Sequence, residues 1–317
     1  MTNHKTHAVV IDAPERLRLA ALPLQAPHAG EVVVAVEWSG ISTGTERLLW
    51  SGRMPVFPGL GYPLVPGYES VGRIVAVGGD VDPARLGERV FVPGANCFGE
   101  VRGLFGGAAS HLRVSAHKVL RVEESLGEQA ILLALAATAQ HALDRAPARL
   151  PQLIVGHGVR GRLLARLTLA AGAEPPTVWE VDHRRHVGAE GYRVCHPEDD
   201  ARRAYATVYD VSGDSQILAQ LLDRLAPQGE IVLAGFYSEP LSLPFVPAFL
   251  REASIRVAAE WQPQDLLTVQ QHIAAGRLSL DGLITHRQPA TAAADAYRQA
   301  FADAECLKMV LDWRQAA

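Results

Sequence analysis

The sequence predicts an α/β protein in which an antiparallel β domain is followed by a doubly wound domain with a parallel sheet. Roughly the first 120 residues consist of short β-branched or alternating runs separated by glycine and proline, which is typical of strands and turns. Beyond them, short apolar runs alternate with helical stretches, and that order indicates βαβ units. At about 150 residues per domain, a chain of 317 residues is long enough for two domains.

The composition excludes several classes of protein. The hydrophobic fraction of 48% and the charged fraction of 20% are those of a globular chain and argue against disorder, collagen and coiled coil. A net charge of -4 offers no electrostatic surface for nucleic acid. The three cysteines are too far apart for a disulfide framework or a zinc motif, which favours a reducing compartment. With no signal peptide and no membrane-length apolar run, we expect a cytoplasmic protein without an integral membrane segment.

The strands of the first domain are recognisable by their β-branched or alternating character. The predicted strands are His7–Ile11, Glu31–Trp38, Ser70–Val77, Glu88–Val92 and His111–Val114. A long run rich in alanine and leucine, Glu128–Leu143, predicts a helix. We therefore place the first domain at residues 1–125.

Five short apolar strands follow, with helical stretches between them. The predicted strands are Leu153–Val155, Thr177–Val181, Thr207–Val211, Glu230–Gly235 and Ile255–Glu260. These strands define a second domain at residues 126–261. The remaining residues, 262–317, contain two helical stretches and a last strand, and we expect them to return to the first domain.

A glycine-rich motif opens a helix directly after the first of these strands. It consists of Gly156, His157, Gly158, Val159, Arg160 and Gly161. In the dinucleotide-binding fingerprint the first glycine allows a tight turn, the second lets the backbone approach a pyrophosphate, and the third packs helix against strand. The helix N-terminus also attracts phosphate. The position between strand and helix makes this motif specific, whereas Arg160 is either a pyrophosphate contact or a solvated helix residue.

An acidic residue follows the next strand. Asp182 lies 21 residues after Gly161, where a carboxylate binds the adenosine ribose. This carboxylate favours NAD over NADP, because it would repel a 2′-phosphate. Glu180 is the alternative if the strand ends earlier. Arg184 and Arg185 are able to hold a 2′-phosphate, so NADP stays open.

Four further motifs resemble those of the medium-chain dehydrogenase/reductase family. They are GYESVG at 67–72, GERV at 87–90, GGAASH at 106–111 and TAQHAL at 138–143. The resemblance covers nearly the whole chain. It implies a GroES-like β domain, a Rossmann NAD-binding domain and a homodimer. It also implies that Thr138 lies beside the nicotinamide, although a helix threonine also bonds readily to its own backbone.

The zinc ligands of the family are missing. The resemblance aligns its ligands with Ser42, where zinc-dependent members have cysteine, with Tyr68, where they have histidine, and with Ala134. Catalytic zinc needs three protein ligands from nitrogen, sulfur or oxygen donors. Only Cys97 falls in the region of the structural zinc lobe. We therefore predict that no metal is bound.

A narrower resemblance lies in residues 40–72, GISTGTERLLWSGRMPVFPGLGYPLVPGYESVG. This run is similar to family members of bacteriochlorophyll biosynthesis. It implies NAD-dependent oxidation of a hydroxyethyl side chain on a bacteriochlorophyllide to acetyl, and it allows for a location peripheral to the photosynthetic membrane. Two alternatives stay open: a zinc-free NAD(P)H quinone or enone reductase, and a non-catalytic nucleotide-binding protein.

Without zinc, a side chain has to accept the hydroxyl proton of the substrate. Tyr68 is the first candidate because it occupies a lost ligand position, although it is alternatively an aromatic that only fills the volume. Ser42 and Thr45 form either a hydroxyl relay or an ordinary turn. Glu69 is a further candidate near the same site. Lys308 either pairs with Glu69 in a structural role or contacts the cofactor phosphate.

The remaining candidates concern strand ends and the substrate. Ser212, Gly235 and Phe236 follow predicted parallel strands, where ligands bind in open α/β sheets. The apolar, proline-rich segment 54–63 is suited to line a broad pocket for a macrocycle. The aromatic residues considered with it are Trp50, Phe98, Phe105, Tyr237 and Phe249. The alternative for all of them is ordinary core packing.

Overall fold

The computed structural model describes residues 4–144 and 149–315. The chain forms two compact units. The first contains the residues up to Ala134 and those from Leu283 onward, and the second is Leu135–Gly282. We expected the chain to return to the first unit at residue 262, whereas it does so after Gly282. Two sets of contacts tie the residues after 262 to the second unit. His141 Nδ1 lies 2.9 Å from Asp265 Oδ2, and Arg166 Nη1 donates to the carbonyl oxygens of Ser279 and Asp281 at 2.8 and 2.9 Å.

The first unit begins with nine strands and one short α-helix. Their bounds are β1 (His4–Ala13), β2 (Arg16–Leu24), β3 (Glu31–Ile41), α1 (Thr45–Ser51), β4 (Leu64–Val65), β5 (Ser70–Val77), β6 (Arg89–Val92), β7 (Arg102–Gly103), β8 (His111–Ser115) and β9 (Leu120–Arg121). Two 3₁₀ segments lie at Pro83–Arg85 and Glu124–Leu132.

The second unit alternates strands and helices, as βαβ units require. Its elements are α2 (Leu133–Asp144), β10 (Leu153–Val155), α3 (Val159–Ala170), β11 (Thr177–Trp179), β12 (Arg193–Cys195), β13 (Tyr205–Asp210), α4 (Leu218–Arg224), β14 (Leu225–Leu233), α5 (Phe245–Leu250), β15 (Ser254–Val257) and α6 (Pro263–Ala274). The chain then adds β16 (His286–Pro289), α7 (Ala293–Ala302) and β17 (Met309–Asp312) to the first unit.

Two sheets build the first unit. One has the order β2-β1-β4-β7, and the other has the order β16-β17-β3-β5-β6-β9, with β8 also paired to β3. β3 is central because its valines Val32, Val34 and Val36 are buried. A Cβ on Gly72 would lie 2.1 Å from the carbonyl oxygen of Ala35, so only glycine permits this approach of β5 to β3.

The second unit contains one sheet of six strands in the order β12-β11-β10-β13-β14-β15. Every adjacent pair is parallel. Numbered along the chain, this is the order 3-2-1-4-5-6 of dinucleotide-binding domains. The predicted α/β class is therefore confirmed, and the strand that the sequence did not predict, β12, lies at one edge.

The predicted helix Glu128–Leu143 is wrong in its first turn. The chain forms the 3₁₀ segment Glu124–Leu132, with a kink at Gly127 (φ 50°, ψ -137°), and α2 begins only at Leu133. Among residues 4–144 and 149–315, no helix combines the length and apolar character needed to span a bilayer.

Candidate functional site

The glycine loop between β10 and α3 has the geometry that a pyrophosphate requires. Gly156 has φ +100°, a conformation that other residues rarely adopt. A Cβ on Gly161 would lie 1.9 Å from the carbonyl oxygen of Gly156, so the helix packs on the turn only with glycine there. A Cβ on Gly158 would meet no atom within 4 Å, which leaves its backbone open to a ligand. The loop therefore fits a dinucleotide at the N-terminus of α3.

The His157 side chain of this loop faces the protein interior. Its Nδ1 lies 2.6 Å from the carbonyl oxygen of Arg185, and its Nε2 lies 2.9 Å from the Tyr192 hydroxyl. A carbonyl only accepts, so Nδ1 carries the proton and Nε2 accepts from Tyr192. Burial, assisted by the nearby Arg162, lowers the pKa of His157 to about 4, which keeps the ring neutral. Both ring nitrogens are thus engaged by protein groups, and binding of the cofactor by His157 stays a prediction.

Two carboxylates follow β11, and they differ in what they contact. The buried Glu180 carboxylate accepts one backbone N–H from His157 and one from Asp182, each at 3.0 Å. It joins the glycine loop to the next turn. Asp182 lies at the surface and pairs with Arg184 at 2.7 Å, which lowers the pKa of Asp182 to about 2. Asp182 is therefore the carboxylate accessible to a ribose, and Arg184 lies beside it.

The other predicted cofactor residues of the second unit lie near strand ends. Arg160 Nη1 donates to the carbonyl oxygen of Ala234 at 2.5 Å, which links α3 to the residue after β14. The backbone N–H of Ser212 donates to Asp210 at 2.9 Å. The predicted residues Gly235 and Phe236 follow β14, and Phe236 is 37% exposed. Thr138, predicted to lie beside the nicotinamide, is half-buried on α2.

In the first unit, Tyr68 and Ser42 form a pair of hydroxyl groups. The Tyr68 hydroxyl donates to Ser42 Oγ at 2.8 Å. The backbone N–H of Ser42 donates to Glu46 Oε1 at 3.0 Å, which fixes the turn between β3 and α1. Within the described ranges, the Thr45 hydroxyl makes no hydrogen bond. Of the three residues predicted as a hydroxyl relay, the structure joins Tyr68 and Ser42 by a hydrogen bond and leaves Thr45 outside that pair.

The sequence did not indicate the environment of Glu46. This carboxyl group is fully buried and accepts a hydrogen bond of 2.5 Å from the Tyr297 hydroxyl, 251 residues away. Burial raises the pKa of Glu46 to about 7 and also raises that of Tyr297. Glu46 is thus a carboxyl group that titrates near neutral pH beneath the Ser42 turn.

The predicted ion pair between Glu69 and Lys308 is present. The Lys308 ammonium donates to Glu69 Oε2 at 2.6 Å and to the Ile41 carbonyl oxygen at 3.3 Å, and both side chains are buried. The neighbouring Gly40 leaves room for the pair, since a Cβ there would lie 2.2 Å from Glu69 Oε2. The Lys308 ammonium is committed inside the fold, so a contact with a cofactor phosphate would require it to leave Glu69. Glu69 likewise has a structural partner and no exposed carboxylate for catalysis.

The positions of the family's zinc ligands do not fit zinc. Ser42 and Tyr68 bond to each other, and Ala134 is a buried methyl group. A hydroxyl, a phenol and a methyl group do not form the nitrogen, sulfur or carboxylate set that catalytic zinc needs. In the part of the chain that the structure describes, no three His, Cys, Asp or Glu side chains are grouped so as to hold a metal ion.

Aromatic rings extend from Tyr68 along the apolar segment 54–63. Tyr68 packs edge-to-face on Phe105 with centroids 5.4 Å apart, and Phe105 packs on Phe57 at 6.1 Å. All three are half-buried. The other predicted aromatics are placed differently: Phe98 is a core residue, Trp50 packs on Phe301, Tyr237 donates to Asp210, and Phe249 is exposed on α5.

Comparison with known proteins identifies the family of the chain. Residues 28–124 match the alcohol dehydrogenase GroES-like domain. The chain is 54% identical to the 2-desacetyl-2-hydroxyethyl bacteriochlorophyllide A dehydrogenase of Cereibacter sphaeroides, over 99% of this chain and 100% of that protein. It is also 54% identical to the enzyme of the same name from Rhodobacter capsulatus, over 98% of this chain and 99% of that protein. This chain belongs to the medium-chain dehydrogenase/reductase family.

Membership of the medium-chain dehydrogenase/reductase family makes the protein an oxidoreductase with the fold described above. An Escherichia coli alcohol dehydrogenase solved with NADH has the same fold, with a TM-score of 0.84 and 24% identity over 97% of this chain and 99% of that one. An acetophenone reductase from Geotrichum candidum, solved with NAD, matches with a TM-score of 0.81 and 20% identity over 98% of each chain. The predicted GroES-like first domain is confirmed.

Proposed function

We propose that this medium-chain dehydrogenase oxidises the hydroxyethyl side chain of a bacteriochlorophyllide to an acetyl group, with NAD as the hydride acceptor and without zinc. One observation carries the chemistry: Tyr68 and Ser42 are hydrogen-bonded at 2.8 Å at positions where the family's zinc ligands would be. The identity of 54% to two enzymes named for this substrate supports the choice of pigment. We place the protein in the cytoplasm, at most peripheral to the photosynthetic membrane.

The second unit supplies the residues that would hold NAD, which accepts the hydride when bound. The open backbone at Gly158 and the N-terminus of α3 suit the pyrophosphate. Asp182 suits the adenosine ribose and disfavours a 2′-phosphate. Arg184 bonds to both carboxylate oxygens of Asp182, at 3.0 and 2.7 Å, and each oxygen has a further lone pair for a ribose hydroxyl.

The first unit supplies the path for the proton. Tyr68 takes the proton of the substrate hydroxyl on its phenol oxygen as it gives its own proton to Ser42 Oγ. Ser42 in turn gives up its hydroxyl proton, which ends in water. One hydride and one proton therefore leave the secondary alcohol, and a ketone remains. Such positioned acid–base groups contribute about a hundredfold or more to the rate.

An absorbance assay tests the function. Purified protein is mixed with hydroxyethyl bacteriochlorophyllide a and either NAD or NADP, with a chelator present, and the red band of the pigment is followed. We expect a shift with NAD that survives the chelator. No shift with either nucleotide, from protein that binds NAD, would refute the pigment assignment. Turnover of a quinone with NADPH in the same preparation would identify a quinone reductase instead, and binding of NAD without any turnover would identify a non-catalytic protein.

We also propose that two copies associate through the second unit. β15 is an edge strand of the six-stranded sheet, and Val257 on it is 66% exposed. The adjacent α5 exposes Phe245, Phe249 and Leu250 by 72%, 66% and 72%. An apolar edge of this kind pairs readily with another strand. Sedimentation velocity should give a dimer for wild type and a monomer for Phe249→Glu, with Leu267→Glu on α6 as a control; a monomeric wild type would overturn the proposal.

A further inference from the structure

The aromatic rings beside Tyr68 form a continuous surface, which we call the aromatic ladder. It consists of Tyr68, Phe105 and Phe57, joined by edge-to-face contacts of 5.4 and 6.1 Å. The ladder begins at the hydroxyl pair and runs into the segment 54–63. Next to its far end, the side chain of Val56 is fully exposed. A series of partly exposed rings of this length suits a flat ring system wider than a single benzene ring.

The side chain of Arg102 packs against the segment 54–63. One of its guanidinium nitrogens would be only 2.2 Å from a Cβ on Gly61, so the guanidinium rests directly on the glycine backbone. β7, which carries Arg102, is paired in parallel with β4, so that Arg102 lies opposite Leu64. Arg102 is thus three residues before Phe105, and it contacts the loop that contains Phe57.

The guanidinium of Arg102 has no carboxylate partner within residues 4–144 and 149–315. Other arginines of the first unit do have one: Arg85 pairs with Glu88 at 2.7 Å, and Arg89 pairs with Glu37 at 2.9 Å. Arg102 is also exposed, so its donors face solvent. An unpaired guanidinium beside an apolar surface is suited to bind an anionic group on an otherwise apolar ligand.

We propose that Arg102 binds the propionate carboxylate of the pigment while the macrocycle lies on the aromatic ladder. This inference rests on the proposed function, because a chlorophyllide carries a free propionate where a chlorophyll carries an ester. The guanidinium presents parallel N–H donors that match the two carboxylate oxygens. Arg102 thus makes the enzyme specific for the free acid. It is a specificity residue that acts on substrate binding and takes no part in proton transfer.

The test measures binding of hydroxyethyl bacteriochlorophyllide a and of its propionate methyl ester, without nucleotide, by quenching of pigment fluorescence. Wild type should bind the free acid about tenfold or more tightly than the ester, as expected for a charge-assisted hydrogen bond. Arg102→Gln should lose this preference and leave ester binding unchanged. In turnover, the KM for the free acid should rise while kcat stays within about twofold. The control Lys118→Gln removes one exposed positive charge of the same unit and should retain the preference.

A second variant moves the guanidinium without removing its charge. Gly61→Ala places a Cβ where the guanidinium now lies, and Arg102 is long enough to swing aside without unfolding the chain. We expect it to weaken free-acid binding more than ester binding. Gly30→Ala, where a Cβ meets no atom within 4 Å, is its control. Equal binding of acid and ester by wild type, or equal losses for both in Arg102→Gln, would overturn the inference and leave the proposed function standing. Failure of wild type to bind either pigment would instead refute the proposed function.

Discussion

The hydroxyl of Tyr68 donates to Ser42 Oγ at 2.8 Å, and the backbone of Ser42 is in turn held by Glu46 at 3.0 Å. Ser42 lies in the turn after β3, and Tyr68 lies just before β5. The two side chains thus form one polar pair at positions where the family's zinc-dependent members have metal ligands. In the proposed function, this hydrogen-bonded pair is the path for the proton that zinc-dependent members handle with a Lewis acid.

The Tyr68 hydroxyl should be required for turnover. Tyr68→Phe removes the phenol oxygen and keeps the ring that packs on Phe105. We expect kcat to fall by about a hundredfold or more, the scale of general acid–base catalysis. The kcat of Ser42→Ala should also fall, because this variant lacks the oxygen that accepts the hydrogen bond from Tyr68. Steady-state kinetics with the pigment measure both, and activity of Tyr68→Phe within about threefold of wild type would exclude Tyr68 as the proton acceptor.

Glu46 should make stability depend on pH. Its folded pKa of about 7 lies above the ordinary value of 4.5, so the folded state retains a proton that the unfolded state releases. The contribution of Glu46 to the free energy of unfolding is therefore complete below about pH 4.5 and is lost as the pH rises to about 7. As the pH rises from about 4.5 to about 7, the free energy of unfolding of Glu46→Gln should increase by about 3 kcal/mol relative to that of wild type.

Urea unfolding at several pH values measures this difference. Glu100→Gln removes an exposed carboxylate and serves as the control. A constant difference between Glu46→Gln and wild type from pH 4.5 to pH 8 would show that Glu46 does not titrate in this range.

The Glu69–Lys308 pair should stabilise the fold only as a pair. Its two ionic atoms lie 2.6 Å apart and are buried. Removing one partner leaves an uncompensated buried charge, which costs about 3–5 kcal/mol. We expect that loss for Lys308→Met alone, and a smaller one for the double variant Glu69→Gln/Lys308→Met. Denaturant unfolding of wild type, Lys308→Met, Glu69→Gln and the double variant completes the cycle, and strictly additive losses would argue against pairing.

Asp182 should determine the preference for NAD. Asp182→Ala removes the accessible carboxylate after β11 and frees Arg184, which now bonds to both of its oxygens. We expect the KM for NAD to rise about tenfold, as for loss of a charged hydrogen bond, and the KM for NADP to fall. Glu180→Gln is less suitable as a probe, since both of its oxygens hold backbone groups. Unchanged preference in Asp182→Ala would place the ribose contact elsewhere.

The His157 ring should affect nucleotide binding through the backbone. His157→Phe retains an aromatic ring but removes the hydrogen bonds of the imidazole to the Arg185 carbonyl and to the Tyr192 hydroxyl. We expect a several-fold rise in the Kd of NAD, measured by titration calorimetry, with kcat at saturating NAD preserved. Tyr192→Phe removes only one of the two contacts and should show a smaller effect. A fall in kcat without a change in affinity would contradict this positioning role.

The sequence was sufficient for the glycine loop because its function depends on local backbone geometry. The turn at Gly156 and the packing at Gly161 need glycine whatever surrounds them, and neighbouring residues supply the strand and the helix. The parallel sheet could also be predicted from the sequence, because its short apolar strands alternate with helical stretches along the chain. The start of α2 was placed too early, because the pattern of apolar residues does not distinguish the 3₁₀ turns that end at Leu132 from the α-helix that begins at Leu133.

Contacts between distant residues were decided only by the tertiary structure. Nothing local indicates that Tyr297 donates to Glu46, that the His157 ring turns inward to Tyr192, or that Arg102 rests on Gly61. Each depends on sheet pairing and on burial, which raise or lower a pKa and decide whether a polar group faces solvent or a partner. The sequence by itself determined which chemistry the chain has available, because residue types and local turns set it. Only the fold decided which of those groups are free to act, because desolvation and pairing depend on residues far apart along the chain.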